Sequence, residues 1–285
     1  MKTRTSLDPF RPWAFFAEAE RSRAGAMVLV NTVFLTNREC PWKCVMCDLW
    51  KNTLAEPVPV GTIPAQIEYA LAQLPAAPHI KLYNSGSFFD PRAIPVADYA
   101  AIAALVGRYE HVIVESHPAL AGDGCLRFRD LLSGRLEVAM GLETVHPEVL
   151  PRLNKGMTLE QFRAAADFLS ANGIDLRAFI LMKPPFMRDG EAVEWACRSV
   201  DFAFECGASA ATLIPTRGGE QPSLAMLEES VEYGVALDQG RVFADLWDLR
   251  RFSRCDECFD ARAERLHRMN LDQTLAPRIE CGACR

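Results

Sequence analysis

The chain has no hydrophobic run that approaches the roughly 18–20 residues of a membrane-spanning helix, so anchoring by such a helix is excluded. It also lacks an excess of positive charge. Its 31 Lys and Arg stand against 37 Asp and Glu, for a formal net charge of −6, so no overall basic field indicates a nucleic-acid partner. The N-terminal segment has no apolar core of the kind that a secretory signal needs, and the chain shows no internal repeat. We expect a soluble protein of the cytoplasm.

What the sequence does have is enough apolar material for one large domain. It has 285 residues, of which 49% are hydrophobic and 24% charged, and both values are ordinary for a soluble globular protein. Of its 10 cysteines, seven fall in tight groups that are typical of metal sites rather than disulfides, which favours a reducing compartment. The scattered cysteines are predicted to be buried free thiols: Cys125, Cys197 and Cys206.

Short β-branched runs alternate with helical patterns along most of the chain, which predicts βαβ units and a parallel sheet. Strands are expected near residues 27–35, 79–84, 111–115, 136–142, 175–182 and 209–214. Helices are expected near residues 62–74, 96–108, 125–133, 158–171, 190–205 and 223–236. Six such repeats are too few for the usual eight-fold barrel. In folds of this kind the ligand binds at the C-terminal ends of the strands, where functional residues are therefore expected.

The pattern divides the chain into three parts. Residues 1–24 are predicted to form a helical leader, with an amphipathic helix at 12–23 that packs on the main domain. Residues 25–240 carry the β/α repeats. Residues 241–285 form a C-terminal extension that is rich in cysteine and arginine, and its cysteine spacing predicts a metal site.

Three closely spaced cysteines form the most informative motif. Cys40, Cys44 and Cys47 follow the first predicted strand with the spacing C-x3-C-x2-C. Thiolates at this spacing on one loop can bind three irons of a [4Fe–4S] cluster and leave the fourth iron open to a small molecule. The alternative is a zinc knuckle that takes its fourth ligand from elsewhere, although zinc-binding cysteines usually come in pairs. The motif and its place in the chain resemble the radical S-adenosylmethionine (SAM) superfamily.

This resemblance implies a fold and a chemistry. The fold would be a partial (β/α)6 barrel, which agrees with the six repeats, followed by the small metal-binding extension. A [4Fe–4S] cluster, reduced by a flavodoxin- or ferredoxin-like one-electron donor, would cleave SAM to methionine and a 5′-deoxyadenosyl radical that abstracts hydrogen from the substrate. Met46 stands between two cluster ligands, where the superfamily usually has an aromatic residue, and would shield the cluster and border the adenine.

The resemblance also assigns SAM contacts to the segment after the second strand. Asn84, Ser85, Gly86 and Ser87 occupy the place of the Gly-Gly-Glu motif, which holds the amino group of SAM in the superfamily. Gly86 permits a close backbone approach, while the hydroxyls and free carbonyls of the segment offer hydrogen-bonding groups. We expect these four residues to contact SAM.

Later strand ends supply the remaining candidates. Glu143, after the fourth strand, is expected to bind the ribose hydroxyls, and Lys155 the methionine carboxylate. Pro215, after the sixth strand, is expected to pack against the adenine, and Arg217 with the two glycines that follow it could bind an anionic group. Lys183 ends the fifth strand, which is otherwise apolar, so it is expected to point to the barrel mouth or to be paired. It is the candidate catalytic residue, as a contact to SAM or substrate or as a proton donor.

The C-terminal extension carries a second metal motif. It consists of two C-x2-C pairs, formed by Cys255 with Cys258 and by Cys281 with Cys284. This pattern matches a four-cysteine zinc site, and the same ligands could hold an auxiliary iron–sulfur cluster instead. We favour zinc, because a fully ligated site between Arg-rich helical segments is typical of a structural clamp.

Shorter strings narrow the resemblance. The cluster loop with the Asp-Leu-Trp-Lys-Asn that follows it, the Tyr-Asn-Ser-Gly-Ser-Phe-Phe-Asp segment and the string Lys-Pro-Pro-Phe are similar to the radical SAM partner of archaeosine synthase. That group works with a partner subunit on a lysine adduct of a 7-deazaguanine base in tRNA and cleaves a carbon–nitrogen bond. The resemblance therefore implies tRNA and a partner subunit. The same chemistry on a small metabolite or peptide is an alternative, as are an iron–sulfur redox sensor and a zinc-dependent nucleic-acid-binding module.

Overall fold

The computed structural model describes residues 7–217 and 220–283. Within these ranges, eight strands form one sheet in chain order. They are β1 (Ala14–Arg21), β2 (Met27–Phe34), β3 (His79–Tyr83), β4 (His111–Ser116), β5 (Arg135–Glu143), β6 (Asp175–Met182), β7 (Ala210–Pro215) and β8 (Arg241–Ala244). β1 runs antiparallel to β2, and every later strand is parallel to its neighbour. The sheet is curled into a half-barrel. The loop after β2 therefore lies at the same edge as the carboxyl ends of β3 to β8.

Eight α-helices in the described ranges connect and follow the parallel strands. They are α1 (Thr62–Leu71), α2 (Tyr99–Val106), α3 (Asp123–Arg129), α4 (Val149–Arg152), α5 (Leu159–Ala171), α6 (Ala192–Glu205), α7 (Leu224–Leu237) and α8 (Phe259–Asp272). α5 begins at a complete capping box, in which Thr158 and Gln161 each bind the other's backbone N–H. None of the described helices has the length and apolarity to cross a bilayer.

The alternating β/α pattern predicted from the sequence is confirmed, including all six expected strands and all six expected helices. The predicted leader helix at 12–23 is wrong, because this segment forms β1. In its sequence, AFFAEAER, Phe16, Glu18 and Glu20 recur at every second position and line the cavity inside the barrel. That period of two fits a strand. The same polar positions are also compatible with a short amphipathic helix, and pairing with β2 decides between the two.

The sheet continues past the predicted boundary at residue 240, because β8 pairs with β7. Its outer edge is covered by α8 rather than by another strand. The side-chain amide of Asn270 binds the N–H and C=O of Ala244 at 2.7 and 2.9 Å, and that of Gln273 binds the N–H and C=O of Val242 at the same distances. These four bonds satisfy backbone groups that an edge strand would otherwise expose. The C-terminal extension is thereby attached to the barrel.

Charged side chains fill the inside of the barrel near the N-terminal ends of the parallel strands. Arg177 on β6 binds Glu20 on β1 and Glu137 on β5, each at 2.6 Å. Lys81 on β3 also binds Glu20, at 2.5 Å, and Arg241 on β8 binds Glu137 at 3.1 Å. We call these five residues the floor network. Burial opposes ionisation of Glu137, but Arg177 and Arg241 outweigh it and lower its pKa to about 2. The network thus joins strands at both ends of the sheet.

Candidate active site

A cavity of about 640 Å³ opens at the C-terminal edge of the sheet, above the floor network. Most of the predicted site residues line it. They are Cys40, Cys44, Met46, Cys47, Ser85, Gly86, Ser87, Glu143, Lys155, Pro215 and Arg217. The volume is in the range of small-molecule and cofactor sites. Residues that are far apart in the sequence thus meet at one site, as the position of the strand ends predicted.

The cysteine loop is held in place by aromatic stacking. The Trp42 indole lies flat on the His117 imidazole, with ring centroids 3.7 Å apart and an interplanar angle of 7°. Gly156, at a positive φ of 69°, leaves room for the indole of Trp42, since a Cβ there would lie 3.1 Å from its Cδ1 atom. His117 also contacts the Lys155 carbonyl through Nε2, at 2.9 Å. The loop is therefore fastened to the segments that follow β4 and α4.

The three thiols of this loop lie in a desolvated environment. Burial raises the pKa of Cys40 and Cys47, and raises that of Cys44 to about 11. The nearby Lys155 ammonium opposes this effect at Cys40 and Cys44. Thiols of this kind become thiolates readily only when a metal supplies the compensating positive charge. Three soft donors that face one cavity fit an iron–sulfur cluster with an open position.

Glu115, at the end of β4, is a site residue that the sequence analysis missed. Its Oε1 atom accepts hydrogen bonds from the backbone N–H groups of Asn84 at 2.5 Å and Gly86 at 3.3 Å. Burial raises the pKa of Glu115, while these N–H groups favour its ionised form. The carboxylate therefore shapes the turn after β3. A carboxylate within the apolar strand HVIVES was the available signal.

The side chain of Asn84 departs from its expected role. It is fully buried and does not line the cavity, and neither its Oδ1 nor its Nδ2 atom has a hydrogen-bond partner among the described residues. Ser85, at a positive φ of 54°, and Ser87 do line the cavity. Within this turn, the two serines and Gly86 are the residues positioned to contact a ligand.

Glu143 and Lys155, predicted to contact different parts of SAM, are bound to each other in the structure. Lys155 Nζ donates to Glu143 Oε1 at 2.6 Å, and both side chains are largely buried. Burial lowers the pKa of Lys155, but Glu143 outweighs it and the pKa is raised. Gly141 makes room for the pair, because a Cβ at this position would overlap both Glu143 Oε1 and Lys155 Nζ. The pair is thus set against the backbone of β5.

We expect Gly141→Ala to weaken SAM binding by about tenfold, or about 1.4 kcal/mol, because the Glu143 carboxylate and the Lys155 ammonium must leave the positions expected to contact SAM. The added methyl group would push the Glu143–Lys155 pair away from the strand. Isothermal titration of the variant with SAM measures the effect. Gly190→Ala is the control, because a Cβ at Gly190 meets nothing within 4 Å. Equal SAM affinity in the two variants would contradict the proposed role of the pair.

Lys183, the candidate catalytic residue, does not line this cavity. Its backbone has a positive φ of 53°, and its ammonium pairs with Asp189 and with Glu220, the latter at 3.1 Å. It lines a separate pocket of about 500 Å³ together with Arg251 and Arg254. A lysine at the end of this apolar strand was expected to point to the barrel mouth or to be paired, and the structure shows the pairing, with two carboxylates outside the cavity.

The C-terminal cysteines also come together. The sulfur atoms of Cys255, Cys258 and Cys281 all lie within 4.8 Å of one another. Cys284 lies outside the described residues. Arg262 Nε donates to Cys258 Sγ at 3.3 Å, and its guanidinium pairs with Glu228 on α7. This group can hold a metal ion, and Arg262 connects it to the barrel.

Comparisons with known proteins find relatives of this chain. The chain is 25% identical to an uncharacterised protein of Methanocaldococcus jannaschii over 230 residues, or 75% of this chain and 63% of that protein. It is 29% identical over 193 residues to archaeosine synthase subunit beta of Methanosarcina acetivorans, or 63% of this chain and 55% of the relative. The subunit of the same name from Thermococcus kodakarensis is 27% identical over 127 residues, or 42% of this chain and 39% of the relative. The chain thus spans only part of these relatives.

No family model matches the chain. Among solved structures, the fold is similar to archaeal Elp3 from Methanocaldococcus infernus, with a TM-score of 0.53 and 14% identity over 74% of this chain and 59% of the other. The fold and the named relatives agree with the resemblance to the radical SAM superfamily that the cysteine loop indicates.

Proposed function

We propose that the chain cleaves SAM reductively, with Cys40, Cys44 and Cys47 holding a [4Fe–4S] cluster that supplies the electron and yields a 5′-deoxyadenosyl radical for hydrogen abstraction. One observation carries the proposal: three desolvated thiols face the same cavity as the turn shaped by Glu115 and the Glu143–Lys155 pair. A redox sensor would need only the thiols that hold its cluster. It would not need the polar groups that line the same cavity and suit a zwitterionic nucleoside such as SAM.

The polar groups of the cavity divide between the two ends of SAM. The turn at 85–87 offers serine hydroxyls and carbonyls to the methionine amino group. Lys155 has three N–H donors and can bind the methionine carboxylate while it still donates to Glu143. The second carboxylate oxygen of Glu143 then accepts from the ribose hydroxyls. Met46 and Pro215 supply apolar surface for the adenine.

For the C-terminal site we propose zinc rather than an auxiliary cluster. A tetrahedral zinc with Zn–S bonds of about 2.3 Å separates its sulfur ligands by about 3.8 Å. The Cys255 and Cys281 sulfurs lie 3.8 Å apart. The cysteine sulfurs of a [4Fe–4S] cluster bind different irons and so lie farther apart. Cys258 and Cys284 complete the four-cysteine set.

For the substrate we propose a modified tRNA base, the lysine adduct of a 7-deazaguanine, with a partner subunit and a flavodoxin- or ferredoxin-like donor in the cytoplasm. The relatives named archaeosine synthase subunit beta support this substrate, and the word subunit in their name supports a partner. The chain's formal net charge of −6 gives it no basic field of its own, so a partner that supplies the RNA-binding surface would fit.

The test is anaerobic incubation of cluster-loaded protein with dithionite and SAM, with and without tRNA, followed by mass spectrometry of the nucleosides. Metal analysis of the same sample should give about four irons and one zinc per chain. 5′-Deoxyadenosine is the expected product. Its absence from cluster-loaded protein, even with tRNA and a partner subunit present, would favour a sensor. A colourless protein with zinc alone would favour a nucleic-acid-binding module, and turnover that ignores tRNA would favour a metabolite or peptide.

A further inference from the structure

The cavity extends beyond the residues assigned to SAM. Its remaining wall comes from strands at the two ends of the sheet, where β1 and β2 meet the segment that follows β8. Aromatic rings cover this wall: Phe16 lies 6.0 Å from Phe34 and 6.4 Å from Trp247, and Phe34 lies 6.2 Å from Trp247, between centroids. Trp247 is 43% exposed. This part of the cavity has room and apolar surface that the proposed SAM contacts do not use.

Four charged side chains line the cavity together with these rings, and we call them the charge quartet. Glu18 accepts from Lys81 at 2.9 Å, and Arg217 pairs with Asp245 at 3.5 Å. All four line the cavity. The two pairs also act on each other, since Asp245 is affected electrostatically by both Glu18 and Lys81. The quartet therefore combines two basic and two acidic side chains, and Lys81 also belongs to the floor network through its bond to Glu20.

The quartet has hydrogen-bonding capacity that the protein does not use. Both hydrogen bonds that Glu18 accepts, from Lys81 and from Thr32 Oγ1, end on Oε1, and its side chain is 42% exposed, which leaves Oε2 available to a ligand. The Nε atom of Arg217 is buried and lacks a partner among the described residues. A buried polar group without a partner is destabilising. A free acceptor and a free donor beside one cavity point to a ligand that supplies both.

The two basic and two acidic side chains of the quartet favour a ligand that carries both a positive and a negative charge. A simple anion would be attracted by Lys81 and Arg217 but repelled by the two carboxylates, and a simple cation would meet the reverse. A group that carries both charges can place each beside its opposite. Partly exposed ion pairs contribute little to stability, so recognition is the better explanation for keeping four charges here.

We propose that the charge quartet is a substrate subsite for the zwitterionic head of an α-amino acid, with the ammonium between Glu18 and Asp245 and the carboxylate between Lys81 and Arg217. The inference deepens the proposed function and rests on it, because a lysine adduct with a free α-amino and α-carboxylate group carries such a head. The aromatic wall then packs against the rest of the adduct. Glu18 and Arg217 become specificity-determining residues for the substrate, separate from those that bind SAM.

The test measures the binding of free L-lysine to the full chain by ligand-observed NMR titration. Cadaverine lacks the carboxylate and 6-aminohexanoate lacks the α-amino group, so both should bind at least about tenfold more weakly than L-lysine. Glu18→Gln should weaken L-lysine binding by a similar factor while leaving the Kd for SAM and the dithionite-driven formation of 5′-deoxyadenosine unchanged. Glu194→Gln, in an exposed pair with Arg198, is the matched control.

Arg217→Gln provides a second variant, should Glu18→Gln disturb the strand pairing. Binding of L-lysine that both variants leave unchanged, or that cadaverine matches, would overturn the subsite. Tighter binding of guanine than of L-lysine, lost in Glu18→Gln, would assign the quartet to a heteroaromatic ring and overturn it as well. Failure of the proposed function looks different: the wild-type protein would form no 5′-deoxyadenosine, whether or not L-lysine binds.

Discussion

Cys44→Ala should abolish the reductive cleavage of SAM and bring 5′-deoxyadenosine to the background level. The remaining two cysteines of the loop cannot hold a cluster that needs three protein ligands. The effect should also appear in the cluster itself, as a loss of iron and of the electron paramagnetic resonance signal after reduction. Mass spectrometry of the nucleosides and iron analysis of the same sample measure both. Cys40→Ala and Cys47→Ala should behave alike.

Two other cysteines supply matched controls for this prediction. Cys197 lies on α6, outside the cavity, and Cys197→Ala should keep both the cluster and the activity. Cys281→Ala should lose the metal of the C-terminal site yet retain the iron of the cysteine loop. If Cys44→Ala cleaved SAM at the normal rate, the assignment of the loop would be wrong. If Cys281→Ala lost iron and kept zinc, the two metal sites would have been assigned the wrong way round.

The parts of this site that could be predicted are those encoded locally. The spacing of Cys40, Cys44 and Cys47 predicts a metal-binding loop without any knowledge of the fold. The parallel strands were also predictable, because each is a short β-branched run between helical patterns. Once the strands are placed, the rule that ligands bind at their carboxyl ends brings Glu143 and Lys155 to the cavity. Their direct pairing at 2.6 Å then follows only from the structure.

The parts that could not be predicted depend on contacts between distant segments. Glu115 matters because β4 lies beside β3, which lets its carboxylate reach the turn at 84–87. The sequence shows a carboxylate within an apolar strand but does not indicate which turn it contacts. Lys183 was expected to point to the barrel mouth or to be paired, and local sequence could not identify its carboxylate partners, which come from later in the chain. For the segment that forms β1, local pattern alone did not separate a helix from an edge strand.

The floor network also consists of contacts between distant segments. Arg177→Met should destabilise the protein by about 3–5 kcal/mol, the usual cost of removing one partner from a buried ion pair. Arg177 binds two carboxylates that are themselves buried, so its loss leaves Glu20 and Glu137 each with one fewer counter-charge. The methionine side chain keeps most of the volume, which separates the electrostatic effect from that of a cavity. Urea unfolding followed by circular dichroism at neutral pH measures it.

The pH dependence tests the same network independently. The positive charges hold the pKa of Glu20 well below its usual 4.5 and that of Glu137 at about 2. Groups with lowered pKa stabilise the fold fully above the unfolded value, and this contribution is lost as the pH falls through the folded values. Wild-type stability should therefore decline between about pH 4.5 and pH 2. In Arg177→Met the folded pKa values rise, so the carboxylates take up protons at higher pH and the acid-sensitive range moves upward.

Arg163→Met is the matched control, because Arg163 makes an exposed pair with Glu205 at 3.5 Å. Exposed pairs contribute at most about 1 kcal/mol, so this variant should unfold close to the wild type. Should Arg177→Met prove as stable as Arg163→Met, the charges inside the barrel would not be holding the two ends of the sheet together. Curvature would then have to come from strand twist and from α8, whose amides cover the edge of β8. Comparing the stabilities of the two variants thus shows whether the buried ion pairs or the backbone hydrogen bonding of the sheet holds the half-barrel in its curved form.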